Sequence, residues 1–273
     1  MSDAGTVLIT GTRSGFGTAL AIAFADAGWR VTATMRDVAK APGALTGRDD
    51  VFVTELDVTD PASITAAVTA GEERFGPLDV VVNAAGFVVQ GSIEEIDLDD
   101  LRAQFETNVV GAAAVIQAVL PGMRRRNAGH IITFSSGAGL VGIPRMDAYS
   151  ASKFAVEGMS ESLARAVAPL GVRVTIIEPG VFATELGNSV VPARNSVDAY
   201  DATAAQLPDL YDWTPGDLDA AARAIVSIAG QDDAPLRLYV GHGLDDVRRH
   251  YQERLAVWNR TEGLTRQTLA VAD

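Results

Sequence analysis

The opening of the chain constrains its fold more than any other stretch. Thr6 to Thr10 (TVLIT) is a short, nearly all-apolar run that ends in Gly11-Thr12-Arg13-Ser14-Gly15-Phe16-Gly17. A helical stretch from Thr18 to Ala27 follows, and Gly28 stops it. Consecutive apolar residues suit a strand buried on both faces of a parallel sheet. The glycines allow a tight turn and let backbone N–H groups and a helix N-terminus approach a pyrophosphate. Strand, glycine-rich turn and helix in this order predict an α/β fold that opens on a dinucleotide site. The spacing is G-x-x-x-G-x-G rather than the commoner G-x-G-x-x-G.

Further strands are expected at Arg30 to Met35, Val51 to Leu56, Leu78 to Val82, Ile131 to Phe134, Val172 to Ile177 and Leu236 to Val240. Helices alternate with them. One starts at Asp60-Pro61, with Asp as N-cap and Pro at the first helical position. A long one runs from about Leu98 to Arg125, one from Tyr149 to about Ala168, and a short one from Ala220 to Ala229. No repeat, low-complexity run or linker interrupts the chain, so residues 1–273 read as a single domain.

The end of the second strand lies beside the adenosine ribose in such folds, where an acidic residue suits NAD and a basic one suits NADP. Met35 is neutral, Arg36 is basic, and Arg13 in the glycine loop is a second guanidinium able to grip a 2′-phosphate. Asp37 has an alternative role, pairing with Arg36. NADP(H) is therefore the expected cofactor, with NAD(H) the alternative. Asp57, followed by Val58, reads either as a strand-end turn residue or as an acceptor for the adenine amino group. Small residues in Asn83-Ala84-Ala85-Gly86 let a ligand lie against the backbone. Asn108, inside a helix where asparagine is mildly unfavourable, invites a functional explanation.

Tyr149 and Lys153 lie four residues apart and hence on one helical face. A phenol titrates near 10, and a neighbouring ammonium pulls that value toward neutrality, as general acid–base chemistry on a carbonyl or alcohol oxygen requires. Adjacent strand residues face opposite sides, so one of Ser135 and Ser136 at most faces the same cleft. Residues 185–216 mix polar and apolar side chains without a clean period. They read as a partly helical substrate flap, or else as a plain surface insertion. Leu244, Val247, Tyr251, Leu255 and Trp258 form a stripe at helical spacing that reads as packing, within a C-terminal helix and tail at 243–273.

Composition excludes other classes. Lysine and arginine number 22 against 35 acidic residues, for a net charge of −13. Such a surface repels phosphate backbones, so no nucleic-acid partner is expected. Arg124-Arg125-Arg126 reads as a helix C-terminus, where cations suit the dipole. There is no cysteine, and the 3 histidines (His130, His242, His250) show no ligand spacing, so no metal is expected. No signal-like start and no apolar run of membrane-spanning length is seen, which gives the expectation of a cytoplasmic protein without a membrane partner.

Together these signals resemble the classical short-chain dehydrogenase/reductase family over nearly the whole chain. The matches are Thr10-Gly11-x-x-x-Gly15-x-Gly17, Asp57-Val58, Asn83-Ala84-Ala85-Gly86, Asn108, Ser136, Tyr149-x-x-x-Lys153 and Pro179-Gly180-x-x-x-Thr184. TGTRSGFG, ATMRD and YSASKFAVEG are similar to its hydroxysteroid- and retinol-dehydrogenase-like branch. The resemblance implies a doubly wound parallel Rossmann-type sheet of about seven strands, order 3-2-1-4-5-6-7, with helices on both faces. It selects Ser136 over Ser135 and implies Asn108, Ser136, Tyr149 and Lys153 as the catalytic set, with Asn108 holding a water that links Lys153 to solvent. Lys153 would also hold the nicotinamide ribose, while Thr184 and the Val181 backbone would meet the carboxamide. The implied activity interconverts a ketone or aldehyde and an alcohol. Val88, Leu140, Met146, Phe182 and Leu186 would line a pocket for a hydrophobic substrate. A homodimer or homotetramer is implied as well. A cofactor-binding sensor without catalysis and a dehydratase or epimerase on the same fold are the alternatives. Two departures stand out: Ala84 replaces a second asparagine, and Phe16 stands where isoleucine is common.

Overall fold

Every residue of strand β1 (Thr6–Thr10) is buried, and its side chains divide between two cores. Val7 and Ile9 pack with Leu20 and Phe24 of helix α1 (Gly15–Asp26), whereas Leu8 packs on the other face with Ile64, Val115 and Ile131. That division is the two-residue period of a strand covered on both sides. Fully burying one such aliphatic side chain contributes about 1.5–3 kcal/mol. The structure, a computed structural model, describes residues 5–183, 190–203, 205 and 214–269.

Strands β2 (Arg30–Met35) and β3 (Val51–Glu55) lie to one side of β1. Helix α2 (Pro61–Phe75) then crosses to β4 (Val80–Asn83) on the other side. Asp60 caps α2 by accepting the Ala62 amide at 2.9 Å, as its sequence predicts. After a short strand β5 (Val88–Gln90) come helices α3 (Leu98–Phe105) and α4 (Ala112–Arg126), then β6 (Gly129–Phe134). Helix α5 (Asp147–Val167) leads to β7 (Val172–Pro179), and a short β8 (Val190–Pro192) follows. Helix α6 (Leu218–Ala229), β9 (Arg237–Val240) and helix α7 (Leu244–Gln267) complete the described chain.

The main sheet has 7 parallel strands in the order β3-β2-β1-β4-β6-β7-β9, which is the expected 3-2-1-4-5-6-7 among its own members. The order reverses between β1 and β4, the point at which doubly wound sheets open a crevice beyond their carboxyl ends.

Several expectations need correction. Helix α1 begins at Gly15, not Thr18, so the last two glycines of the loop form its first turn. The long helix at 98–125 is two α-helices joined by a π-helical stretch, Glu106–Gly111. By length and composition the combined stretch 98–126 matches a membrane-crossing helix, contrary to the expectation that no apolar run is long enough. Its apolar residues have another use here, since Val115, Ile116, Val119 and Met123 are buried against the sheet. β5 and β8 form a second, parallel two-stranded sheet that the sequence does not announce. The stripe on α7 packs only at its start: Leu244 and Val247 are half-buried, Val247 at the cleft, whereas Tyr251, Leu255 and Trp258 are exposed. Spacing defines a helical face, but nothing in it places another element opposite that face.

Candidate active site

The loop after β1 and the loop after β4 touch at the crevice. Gly11 has φ of 76°, and a Cβ there would lie 2.9 Å from the Ala85 Cα. A Cβ on Gly17 would strike the Gly11 carbonyl, so the start of α1 lies directly on the loop. Thr10 ties the two loops, its hydroxyl accepting the Ala84 and Ala85 amides at 3.0 and 3.1 Å. The Ser14 side chain makes no cap hydrogen bond to α1. Gly15, Phe16 and Gly17, the first turn of the helix, line a cleft of about 1020 Å³, a placement that suits an anion cradle.

Arg13, Arg36 and Lys40 line the same end of the cleft. Asp37 does not pair with Arg36. Its carboxylate caps a short turn, accepting the Ala39 amide at 3.1 Å, and sits 2.9 Å from Lys40 Nζ. The hydrogen bond from Lys40 holds the Asp37 carboxyl below its usual range. Asp57 accepts the Thr59 amide at 2.9 Å and the Thr59 hydroxyl at 2.8 Å, and these bonds, the amide first, lower its pKa. It is thus a turn residue and a cleft residue at once. Lys40 has no place in the sequence motifs; a third cation four residues past Arg36 is its only signal.

Across the cleft, Ser136, Tyr149 and Lys153 come together. β6 ends at Phe134, so its chain delivers Ser135 and Ser136 to opposite sides. Ser135 and Ser136 both line the cleft, but it is Ser136 that hydrogen-bonds the Tyr149 phenol, while the Ser135 Oγ is buried beside Gly139. Tyr149 and Lys153 are 8% and 6% exposed, on the buried face of α5. Lys153 Nζ donates to the Phe134 carbonyl at 2.8 Å and lies 5.7 Å from the centre of the Tyr149 ring.

The expected depression of the Tyr149 pKa by Lys153 is not found in this arrangement. Burial pushes the phenol above its ordinary value, and a hydrogen bond from Ser136 opposes the rise. Burial also pulls Lys153 down to about 8, against the attraction of Glu157. Both groups are out of water, so desolvation disfavours each charged form.

Asn108 sits in the π-helical stretch, behind the cleft rather than on it. Its Oδ1 accepts the Phe87 amide at 3.1 Å, and its Nδ2 donates to the Phe87 carbonyl at 3.0 Å and to Ser152 Oγ at 3.1 Å. A π-turn places a side chain where an unbroken α-helix would not. Buried Gln104, one turn earlier and outside every sequence motif, also donates to the Phe87 carbonyl, at 3.0 Å. Asn83 is buried at the end of β4 and does not line the cleft.

The other expected cofactor positions all line the cleft: Gly11, Arg13, Ser14, Gly15, Phe16, Gly17, Arg36, Asp57, Val58, Ala84, Ala85, Gly86, Pro179, Gly180 and Val181. Thr184 and Leu186 fall outside the described residues. Of the expected pocket residues, Val88, Met146 and Phe182 line the cleft, whereas Leu140 is buried away from it. Val141, Ile143, Val190 and Val191 take that part. The unusual Phe16 packs on Phe134 and Phe182, with ring centres 5.1 and 4.8 Å apart, and so forms an aromatic floor.

A family model described as short chain dehydrogenase matches residues 5–195. The chain belongs to the short-chain dehydrogenase family of oxidoreductases. Among its relatives, retinol dehydrogenase 8 of Bos taurus is 34% identical over 261 residues, 87% of this chain and 82% of that protein. The likeness to retinol-dehydrogenase-like members is thereby borne out. The solved structure of a short-chain dehydrogenase from Streptomyces avermitilis has a TM-score of 0.90 at 34% identity, covering 99% of this chain and 100% of that one. ElxO with NADP bound has a TM-score of 0.74 at 26% identity, covering 87% and 97% of the two chains. The likeness to the S. avermitilis dehydrogenase spans nearly all of the chain, C-terminal segment included.

Proposed function

We propose that this dehydrogenase interconverts a ketone or aldehyde and an alcohol on a hydrophobic substrate, using NADP(H). The observation that carries the proposal is one continuous cleft with a glycine cradle and three cations at one end and Ser136, Tyr149 and Lys153 at the other. The chemistry of the donors fits the cofactor. Helix amides suit a pyrophosphate, and Arg13, Arg36 and Lys40 suit the extra 2′-phosphate better than a free ribose hydroxyl. ElxO, which binds NADP, shares the fold. NAD(H) remains the alternative.

NADPH, when bound, supplies the hydride. Tyr149 protonates the developing alkoxide, and Ser136 donates a hydrogen bond to the same oxygen as charge builds on it. A phenol held above its ordinary pKa is fully protonated at neutral pH, as an acid in the reducing direction must be. With the cofactor bound, Lys153 would hold the nicotinamide ribose and return a proton toward Tyr149. Asn108 clamps the Phe87 backbone and thereby shapes the wall beside Lys153. The Val181 backbone, on the cleft wall, would meet the carboxamide. The apolar lining from Val88, Val141, Ile143, Met146 and Val190 favours a substrate of the same character.

We read residues 1–273 as one domain in the cytoplasm. Two copies pair through the helices that expose Val110 and Phe154. The test is NADPH consumption with a panel of apolar ketones, with the alcohol product identified. NADPH binding without turnover of any ketone would favour a sensor, and an elimination product or epimer would favour the dehydratase or epimerase alternative.

A further inference from the structure

A buried carboxylate that the proton chemistry above does not use lies between the small sheet and the catalytic helix. Glu95 is 2% exposed. Its Oε2 accepts the Ser92 amide at 2.8 Å and lies 3.5 Å from Arg145 Nη2. Its Oε1 accepts the Val197 amide at 3.2 Å, across 102 positions of sequence. The Glu95 carbonyl also accepts the Asn195 backbone amide at 3.4 Å and its side-chain Nδ2 at 3.3 Å. One residue therefore joins three segments: the turn after β5, the loop before α5, and the arm that follows β8.

Neighbouring contacts repeat the pattern. The Gly91 amide donates to the Arg145 carbonyl at 2.8 Å, and the Ile93 amide donates to the Asp147 carboxylate at 2.8 Å. From the arm, the Ala193 amide donates to the Gln90 carbonyl at 2.7 Å. Arg145 itself has φ of 61°, a left-handed conformation for a residue with a bulky side chain. Such conformations persist where surrounding contacts over-determine them. Here those contacts come from Gly91 on the backbone and Glu95 on the side chain. Arg145 directly precedes Met146, the N-cap of α5, three residues before Tyr149. Ile143 and Met146 on the loop share a cluster with Val190 of β8, just before the arm, and all three line the cleft.

We infer that Glu95 is a positioning residue that sets the substrate end of the cleft, by clamping the arm after β8 to the loop that starts the catalytic helix. Calling that end the substrate end rests on the reading given under Proposed function. The Ser92 and Val197 amides, together with Arg145, hold the Glu95 carboxyl below its usual range, so the clamp is charged at neutral pH. Each carboxylate oxygen accepts from a different segment. A glutamine of the same shape must set an NH₂ against one of those donors.

Glu95→Gln in the full chain tests this by two readouts. Hydrogen exchange is expected to quicken about tenfold at both 143–147 and 193–199, with β1 and β6 unchanged. For a bulky apolar ketone KM is expected to rise about tenfold, with kcat and the NADPH dissociation constant within about twofold. Arg145→Met is the second variant. It removes the contact to one segment only, yet through Glu95 it is expected to quicken exchange in the arm at 193–199, which Arg145 does not touch by hydrogen bond or ion pair. Faster exchange confined to 91–97, or a loss of stability with KM unchanged, would overturn the assignment. If the wild type turns over no ketone, the activity reading falls while the exchange pattern still decides the clamp.

Discussion

At the glycine-loop end of the cleft, the important groups come from one short stretch and the strand beside it: Gly11, Arg13, Gly15 and Gly17, then Arg36 and Lys40. At the opposite end, Val88 is paired with Val190, Gly91 is bridged to Met146, and Glu95 reaches Val197. The first end is assembled by a local turn, the pairing of β1 with β2, and the tie from Thr10 to the loop after β4. The second is assembled by partners up to about a hundred residues apart. Local conformation therefore shapes the glycine turn itself, whereas the substrate side exists only through contacts between distant segments. A family with a shared cofactor and varied substrates would be expected to divide its cleft in this way.

Tyr149→Phe, at the end away from the glycine loop, carries the largest expected effect. Turnover of any ketone should fall by about 10³-fold or more, with NADPH binding nearly unchanged. Steady-state kinetics beside a fluorescence titration of NADPH separates the two. Comparable turnover by the variant would remove Tyr149 from the mechanism.

Arg36→Asp isolates the glycine-loop end. NADPH affinity should drop by about 30- to 100-fold, the loss of a charge-assisted contact and its replacement by repulsion, while NADH affinity changes little. Equal losses for both cofactors would mean that the three cations do not read a 2′-phosphate. Val190→Ala probes the other end. It should shift selectivity among apolar ketones by about three- to tenfold, and leave NADPH affinity alone. A change in cofactor binding would show that the two ends are not separable.

The smallest effect is on stability. The folded-state pKa of Lys153 is depressed to about 8 from its ordinary 10.5. Between those values the unfolded chain binds more protons than the folded one, so this group's contribution to stability rises with pH across the window. Denaturant midpoints measured from pH 8 to 10 should rise less in Lys153→Met than in the wild type.

The glycine-loop end is largely legible in the order of residues alone. Gly11, Arg13, Arg36, Asp57 and Gly86 all line the cleft where motif spacing places them. Tyr149 and Lys153 are legible for the same reason, since helix period carries their relative position, whereas alternation leaves Ser135 and Ser136 open and only the family resemblance selects Ser136. Lys40 escapes because a lone lysine on a solvated turn has no pattern. Leu140 is misplaced by its sequence because its position beyond β6 depends on a short 3-10 turn, which turns Val141 and Ile143 toward the cleft instead. The later part of the α7 stripe, Tyr251 to Trp258, is exposed among the described residues, and spacing carries no information about what faces it.

By itself the amino-acid sequence determined the alternation of strands and helices, the glycine turn and the Tyr149–Lys153 face, because each follows from the geometry of a few consecutive residues. Tertiary structure decided the rest. It turned residues 106–111 into a π-helical stretch that brings Asn108 onto Phe87, and it raised rather than lowered the Tyr149 pKa by burying it. It also paired β5 with β8 and set the Glu95 carboxylate between three segments. These are consequences of desolvation and of contacts between distant residues, neither of which a local pattern encodes.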